Sequence, residues 1–396
     1  METTAALTGL RCTDCGEDFD SETATHQCPD CGGILDPTYD LDAVATDRET
    51  LESRSFSGIA RYADLLPFPA ETLVTMDEGA TPLVSAPDFA ERLGVDQVLL
   101  KDEGRNPTGS FKDRGAALAV TAASEHGAET VALPSAGNAG QAASAYAARA
   151  GLDAEVFVPS RAVFDTKAMI NVHGGEMTVV GGRLDDAAAA FQDAIVEEDW
   201  YSVATFETPY RHEGKKTMFY EIAEQCEWES PDHVVYPTGG GVGLVGMAKA
   251  ARELQELGWI DDGPAFHAAQ ATGCAPIVEA FEAGRAEHEP VEHPDTICGG
   301  IEVADPGASR LVLDAVRESG GTAVATPDEE ILGAAVDIAQ TAGIEMGATC
   351  GAAASGALEL ADSGAFDGDE TVVLVNTATG NKESDILRSH LMSQGI

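Results

Sequence analysis

Four short stretches hold the residues best suited to chemistry. The first is NPTGSFKDRG at 106–115, which sets Lys112 inside a turn of Gly, Ser and Thr. The chain has 7 Lys against 16 Arg, so a lysine inside such a turn reads as placed rather than incidental. The second is a pair of knuckles, Cys12-x2-Cys15 and Cys28-x2-Cys31, with twelve residues between them. Four thiolates at this spacing suit a tetrahedral zinc ion, and the bland role for such a ribbon is structural. The other four cysteines, Cys226, Cys274, Cys298 and Cys350, have no metal spacing and read as core thiols.

The third stretch is YPTGGGVG at 236–243, a glycine turn between a strand and a helix. Gly239, Gly240, Gly241 and Gly243 let the backbone approach a ligand closely. The amides of that turn, Val242 included, form an anion site at a helix N-terminus. Residues 241–246 satisfy G-x-G-x-x-G, but the following strand ends in Gln270 and Thr272 rather than the acid that a dinucleotide site needs. No Gly-Lys-Ser/Thr follows, so the turn is not a P-loop, and a monophosphate fits better than a pyrophosphate. The fourth feature is a pair of polar turns. Ser135, Gly137 and Asn138 precede an alanine-rich helix whose N-terminus can hold a carboxylate, and Thr377 and Thr379 follow the last strand.

These turns need strands and helices to hold them. Strands are predicted at QVLLKDE, TVALPSA, AEVFVPS, EMTVVGG, YSVATF, HVVYPTG, AFHAAQA, TAVATP and TVVLVNTA, with alanine-rich helices such as 140–150 and 184–197 between several of them. Alternation of this kind implies parallel sheets covered on both faces, with ligands at the carboxyl ends of the strands.

Composition limits the rest. A chain of 396 residues predicts two to three domains. Net charge is −45, from 68 acidic and 23 basic residues, and the acid is dispersed rather than in blocks. This predicts a solvated acidic surface adapted to high salt, and it argues against nucleic acid as a partner. No run of 18 apolar residues or secretory leader is present, so the expectation is a soluble cytoplasmic protein with no membrane span.

As an ordered set, NPTGSFKDRG, SAGNAG, PTGGGVG and NTATGNK resemble the fold-type II pyridoxal-phosphate enzymes of the tryptophan synthase β group. Within that group the chain is similar to the threonine synthase family. DEGATPL at 77–83, PYRHEGKKT at 209–217, QATGCAPIVEAFEAG at 270–284 and TICGGI at 296–301 extend the likeness over nearly all of residues 1–390. The fold so implied is α/β, with two open twisted sheet domains, the cofactor between them, and a small zinc ribbon in front. The boundaries expected are a ribbon at 1–36, an arm at 37–70, a large domain at 71–114 and 216–396, and a small domain at 115–215.

The resemblance also implies roles. Lys112 would form the Schiff base with pyridoxal 5'-phosphate and, once freed, remove the substrate's α-proton. Asn138 would meet the cofactor's phenolic oxygen, residues 239–243 its phosphate, and Thr377 its ring nitrogen, where a hydroxyl is a milder partner than a carboxylate. Ser135, Gly137 and Asn138 would take the carboxylate of an amino-acid substrate, and Arg211 and Lys216 its phosphate. The implied reaction turns O-phospho-L-homoserine and water into L-threonine and phosphate. The resemblance also allows a homodimer. The pattern departs from the family at Ala136 and Ala139, at Thr205–Phe206, and at GATCGAAAS (347–355), where a Glu-Pro pair is usual. A threonine/serine dehydratase or another β-replacement enzyme such as cysteate synthase is the alternative within the fold. A zinc-ribbon binding protein with an inactive enzyme-like body is the alternative outside it.

Overall fold

The computed structural model describes residues 1–22 and 26–395. It opens with a small antiparallel sheet, β1 (Leu7–Cys12), β2 (Asp18–Phe19) and β3 (Leu35–Tyr39), in the order β2-β1-β3. An arm follows that contains α1 (Arg48–Ser53), started by the Asp47 carboxylate, which accepts from the Thr50 amide. Next come β4 (Leu83–Ser85), α2 (Pro87–Leu93), β5 (Gln97–Asp102) and α3 (Lys112–Glu125). Strands and helices then alternate: β6 (Thr130–Pro134), α4 (Asn138–Ala150), β7 (Asp153–Pro159), α5 (Phe164–Val172), β8 (Glu176–Val180), α6 (Leu184–Ile195), β9 (Tyr201–Ser202) and α7 (Tyr210–Gln225). The remainder is β10 (His233–Pro237), α8 (Val242–Glu256), β11 (Ala265–Ala271), α9 (Pro276–Glu282), α10 (Ser309–Glu318), β12 (Ala323–Thr326), α11 (Asp328–Ala342), α12 (Gly351–Asp362), β13 (Thr371–Asn376) and α13 (Ser384–Ser393).

These elements form two compact units, residues 1–80 with 112–217 and residues 81–111 with 218–396. In the first, β8-β7-β6-β9 make a wholly parallel sheet. Val131, Ala132, Leu133, Val156 and Val158 are buried because helices cover both faces, so these strands carry apolar runs rather than alternation. Each large aliphatic side chain so buried contributes roughly 1.5–3 kcal/mol. One apolar cluster runs from Leu10, Cys12, Cys28 and Leu35 of the ribbon through Phe68 of the arm to Tyr210 and the sheet. Ribbon and arm are thus built into this unit, where the sequence pattern suggests separate segments.

In the second unit the sheet order is β12-β11-β10-β13-β5-β4, parallel except for the antiparallel edge strand β4. Its core is Val98, Leu100, Val235, Val372 and Leu374, packed on the alanines of α12. All nine predicted strands form. The short edge strand β4 and the three ribbon strands were not predicted. Among the described residues no helix is long and apolar enough to cross a membrane.

Candidate active site

In the first unit Lys112 opens α3, directly before the buried Asp113 and Arg114. It is half-buried. The protein packed around its amine, and after it the positive charge of Arg211, bring the amine down to about 7. At neutral pH a large share of it is therefore unprotonated, as a nucleophile or proton acceptor must be. Arg211, in the first turn of α7, is 4 % exposed, and one of its guanidinium nitrogens donates to the Val203 carbonyl at 2.7 Å. Burial lowers its own pKa to about 10 while Glu207 acts in the opposite sense, so it keeps its charge.

Lys112 and Arg211 come together because α3 and α7 touch backbone to backbone. A Cβ on Gly214 would lie 2.0 Å from the Arg114 carbonyl oxygen, and one on Gly115 would lie 2.6 Å from the Arg211 carbonyl oxygen. Only glycine permits this approach. Arg114 adds a cross-link, donating to Thr217 Oγ1 at 2.9 Å.

At the start of α4, Ser135 Oγ accepts from the amides of Gly137 (3.1 Å) and Gly140 (2.8 Å), while residues 136–139 stay half-buried. Asn138 is the first residue of the helix. The second cation expected at the substrate, Lys216, is placed differently. It is fully buried, donates to Glu213 Oε2 at 2.8 Å and to the Leu65 carbonyl at 2.9 Å, and sits 4.1 Å from the centre of the Tyr39 ring. Arg211, not Lys216, is the cation that acts on Lys112. The atypical Phe206 has φ of 62° and stacks on the His212 ring at 5.8 Å.

The four ribbon sulfurs all lie within 4.8 Å of one another, with Cys12 Sγ to Cys31 Sγ at 3.5 Å and Cys15 Sγ to Cys28 Sγ at 3.8 Å. Tetrahedral thiolates about 2.3 Å from a zinc ion stand ~3.8 Å apart, so this quartet fits one metal ion. None of the four is in a disulfide.

In the second unit the glycine turn joins β10 to α8. Gly241 is the N-cap, with φ of 74° and no side chain to cap the helix, while the Gly243 amide in the first turn of α8 donates to the Tyr236 hydroxyl, so an anion here would meet the amides that precede it. The left-handed backbone of Gly241, and a Cβ position only 2.2 Å from Val312 Cγ2, both require glycine, while beside Gly240 there is open space. Gln270 braces the turn, donating to the Thr238 carbonyl at 3.1 Å and accepting from the Ile277 and Val278 amides. The sequence shows Gln270 only as a missing acid; this bracing role emerges from the fold.

Thr377 follows β13 and is 7 % exposed, with its carbonyl accepting from the Phe111 amide at 2.9 Å. Its hydroxyl lies 3.1 Å from Cys350 Sγ. The thiol, read from sequence as core filling, is pushed up to about 12 by burial and then by Glu383, so it stays neutral beside Thr377, with the Ala378 carbonyl as its acceptor at 3.6 Å.

Comparison with known proteins identifies the family. Residues 74–378 match the family of pyridoxal-phosphate dependent enzymes. The chain is 38% identical over 369 residues to the threonine synthase of Methanosarcina acetivorans, covering 93% of this chain and 90% of that one. It is 35% identical over 379 residues to the threonine synthase of Methanocaldococcus jannaschii, covering 95% and 93%. Among solved structures, maize serine racemase superposes with a TM-score of 0.68 at 19% identity (80% of this chain, 94% of that one). Diaminopropionate ammonia lyase from Escherichia coli does so with 0.69 at 18% (81% and 89%). These two share the fold alone. The matched family, the coverage of the relatives and the Lys112 turn together show that the chain belongs to the pyridoxal-phosphate dependent enzymes and, within them, to the threonine synthase family.

Proposed function

We propose that this chain converts O-phospho-L-homoserine and water into L-threonine and phosphate, with pyridoxal 5'-phosphate as cofactor and a structural zinc ion in the ribbon. The residues present fit the cofactor: an amine near neutral pKa at Lys112, a glycine turn at the N-terminus of α8, and a buried hydroxyl at Thr377. The amides of residues 239–243 would hold its phosphate, Asn138 its phenolic oxygen, Thr377 its ring nitrogen, and Lys112 would attach it. When bound, the group supplies an electron sink for negative charge at the carbon bearing the substrate's amino group.

The protein's own residues then do the following. Lys112, unprotonated near neutral pH, takes the proton from that carbon and returns one later. The half-buried turn at 136–139 meets the substrate carboxylate. Since Ser135 Oγ already holds the Gly137 and Gly140 amides, the carboxylate must use the Asn138 and Ala139 amides or displace the hydroxyl. Arg211 presents a planar fork that grips a phosphate with two hydrogen bonds, which an ammonium cannot match.

The observation that carries this reading is the buried Arg211 beside Lys112. An enzyme acting on threonine or serine needs no such anion clamp. The test is to give purified protein O-phospho-L-homoserine, L-threonine and L-serine separately, and to measure phosphate, 2-oxobutyrate and pyruvate. Phosphate and threonine from the first substrate support the proposal; keto acid from the others, with no phosphate from the first, would sink it.

A further inference from the structure

We infer that the N-terminal ribbon is a bracket for the anion-binding end of α7: through Asp36 and Tyr39, strand β3 sets the helical turn that carries Arg211. This rests on the role proposed for Arg211 above.

The first two turns of α7 place Arg211, His212, Glu213 and Lys216 in succession. Three of the four are spoken for by the first 80 residues. His212 Nε2 pairs with Asp36 Oδ1 at 2.8 Å. Glu213 Oε2 accepts from the Tyr39 hydroxyl at 2.5 Å and from Lys216 Nζ at 2.8 Å, and Lys216 in turn donates to the Leu65 carbonyl. His212 is 2 % exposed, and Glu213 and Lys216 are fully buried. A helix turn that merely faced solvent would leave such groups hydrated. Here the charges have left water, and the ribbon strand and the arm supply their partners.

The grip on α7 comes from two sides. Gly214 presses on the Arg114 carbonyl of α3, and β3 holds His212 and Glu213. Arg211 lies between these attachments in the same turn, so its direction is set by both. The register of β3 is itself fixed at the metal knuckle. Cys12 pairs with Leu35 and Arg11 with Asp36 across β1 and β3, and the Thr13 amide donates to the Ile34 carbonyl. Tyr39 and Asp36 therefore reach α7 from a strand anchored at the four-sulfur cluster. Neither touches the proposed substrate; both are positioning residues.

The test uses the full-length holoenzyme. Tyr39→Phe keeps the ring over Lys216 and removes only the hydroxyl. Asp36→Ala removes the acceptor for His212, and Asp36→Asn keeps one. Arg11→Ala, an exposed ribbon change, is the control. The readouts are kcat and KM for O-phospho-L-homoserine, competitive inhibition by inorganic phosphate, and zinc content, which reports an intact ribbon. Tyr39→Phe and Asp36→Ala are expected to raise KM and weaken phosphate inhibition about five- to tenfold with kcat within about twofold, with Asp36→Asn and Arg11→Ala near wild type. If both variants hold their zinc and keep wild-type KM and phosphate inhibition while Arg211→Ala impairs both, the bracket is overturned and the proposed function stands. If Arg211→Ala changes neither value, the phosphate role of Arg211 falls, and the bracket falls with it.

Discussion

Gly214→Ala offers a sharp test of how Lys112 and Arg211 are held. Gly214 lies inside α7, where alanine would ordinarily be the better helix former by about 1 kcal/mol. The added methyl carbon would stand 2.0 Å from the Arg114 carbonyl oxygen, whereas ordinary contact begins at 3.4 Å. The obstacle is backbone, so α3 and α7 must part by about 1.4 Å, and Lys112 rides on one while Arg211 rides on the other. Overpacking of this kind costs about 1–3 kcal/mol. A displacement near 1 Å between groups that act together costs on the order of 100-fold in rate. The assay is kcat/KM for O-phospho-L-homoserine beside thermal unfolding and cofactor absorbance, with Gly333→Ala in α11 as the control. A Cβ there meets nothing within 4 Å, so that change should be neutral or gain up to about 1 kcal/mol. A Gly214→Ala protein with wild-type stability and activity would refute the argument that this contact sets the pair.

Other consequences can be checked more briefly. Because the Lys112 amine is brought down to about 7, the folded apoprotein binds fewer protons there than the unfolded chain above that pH. This contribution to apoprotein stability is therefore absent below about pH 7 and grows as pH rises toward the usual lysine range; urea midpoints across pH 6–9.5 for wild type and Lys112→Met should diverge in that sense. Uptake of pyridoxal phosphate by the apoprotein should quicken through the same window, and Lys112→Ala should leave no covalently held cofactor after borohydride reduction, by mass. Cys15→Ser, or a strong chelator, should lower the zinc content from about one ion per chain and drop the melting temperature by about 5 °C or more. With a net charge of −45, moving from 0.1 M to 2 M KCl should raise the melting temperature by on the order of 10 °C, since the screening length then falls from ~10 Å to ~2 Å. Cys350→Val should leave the fold intact but change the absorbance of the bound cofactor, because the Thr377 hydroxyl loses its thiol neighbour.

What could be read along the chain was local. The central strands among the nine predicted are runs of apolar residues that parallel pairing buries on both faces, while the edge strand β8 is largely exposed, and the glycine turn and the paired knuckles act through neighbours a few residues away. Features set by distant neighbours were hidden. The basic cluster RHEGKK does not reveal that Lys216 is closed off by Glu213 and by Leu65, 151 residues earlier in the chain. Nor does it show that Tyr39 reaches Glu213 from 174 residues away. Strand β4 is three residues long with partly exposed side chains, too short to make a pattern. Phe206 looked like a loss from a polar pair, but its ring covers His212, a role visible only once α7 is in place.

The shared apolar filling that runs from Cys12 and Cys28 to Phe68 and Tyr210 has a practical consequence for anyone wishing to shorten this chain. Trimming it to begin after the knuckles would not yield a smaller enzyme with an appendage removed. It would strip the lining from one wall of the remaining body, baring Tyr210 and the buried Glu213–Lys216 pair to water and inviting molecules to clump through the exposed side.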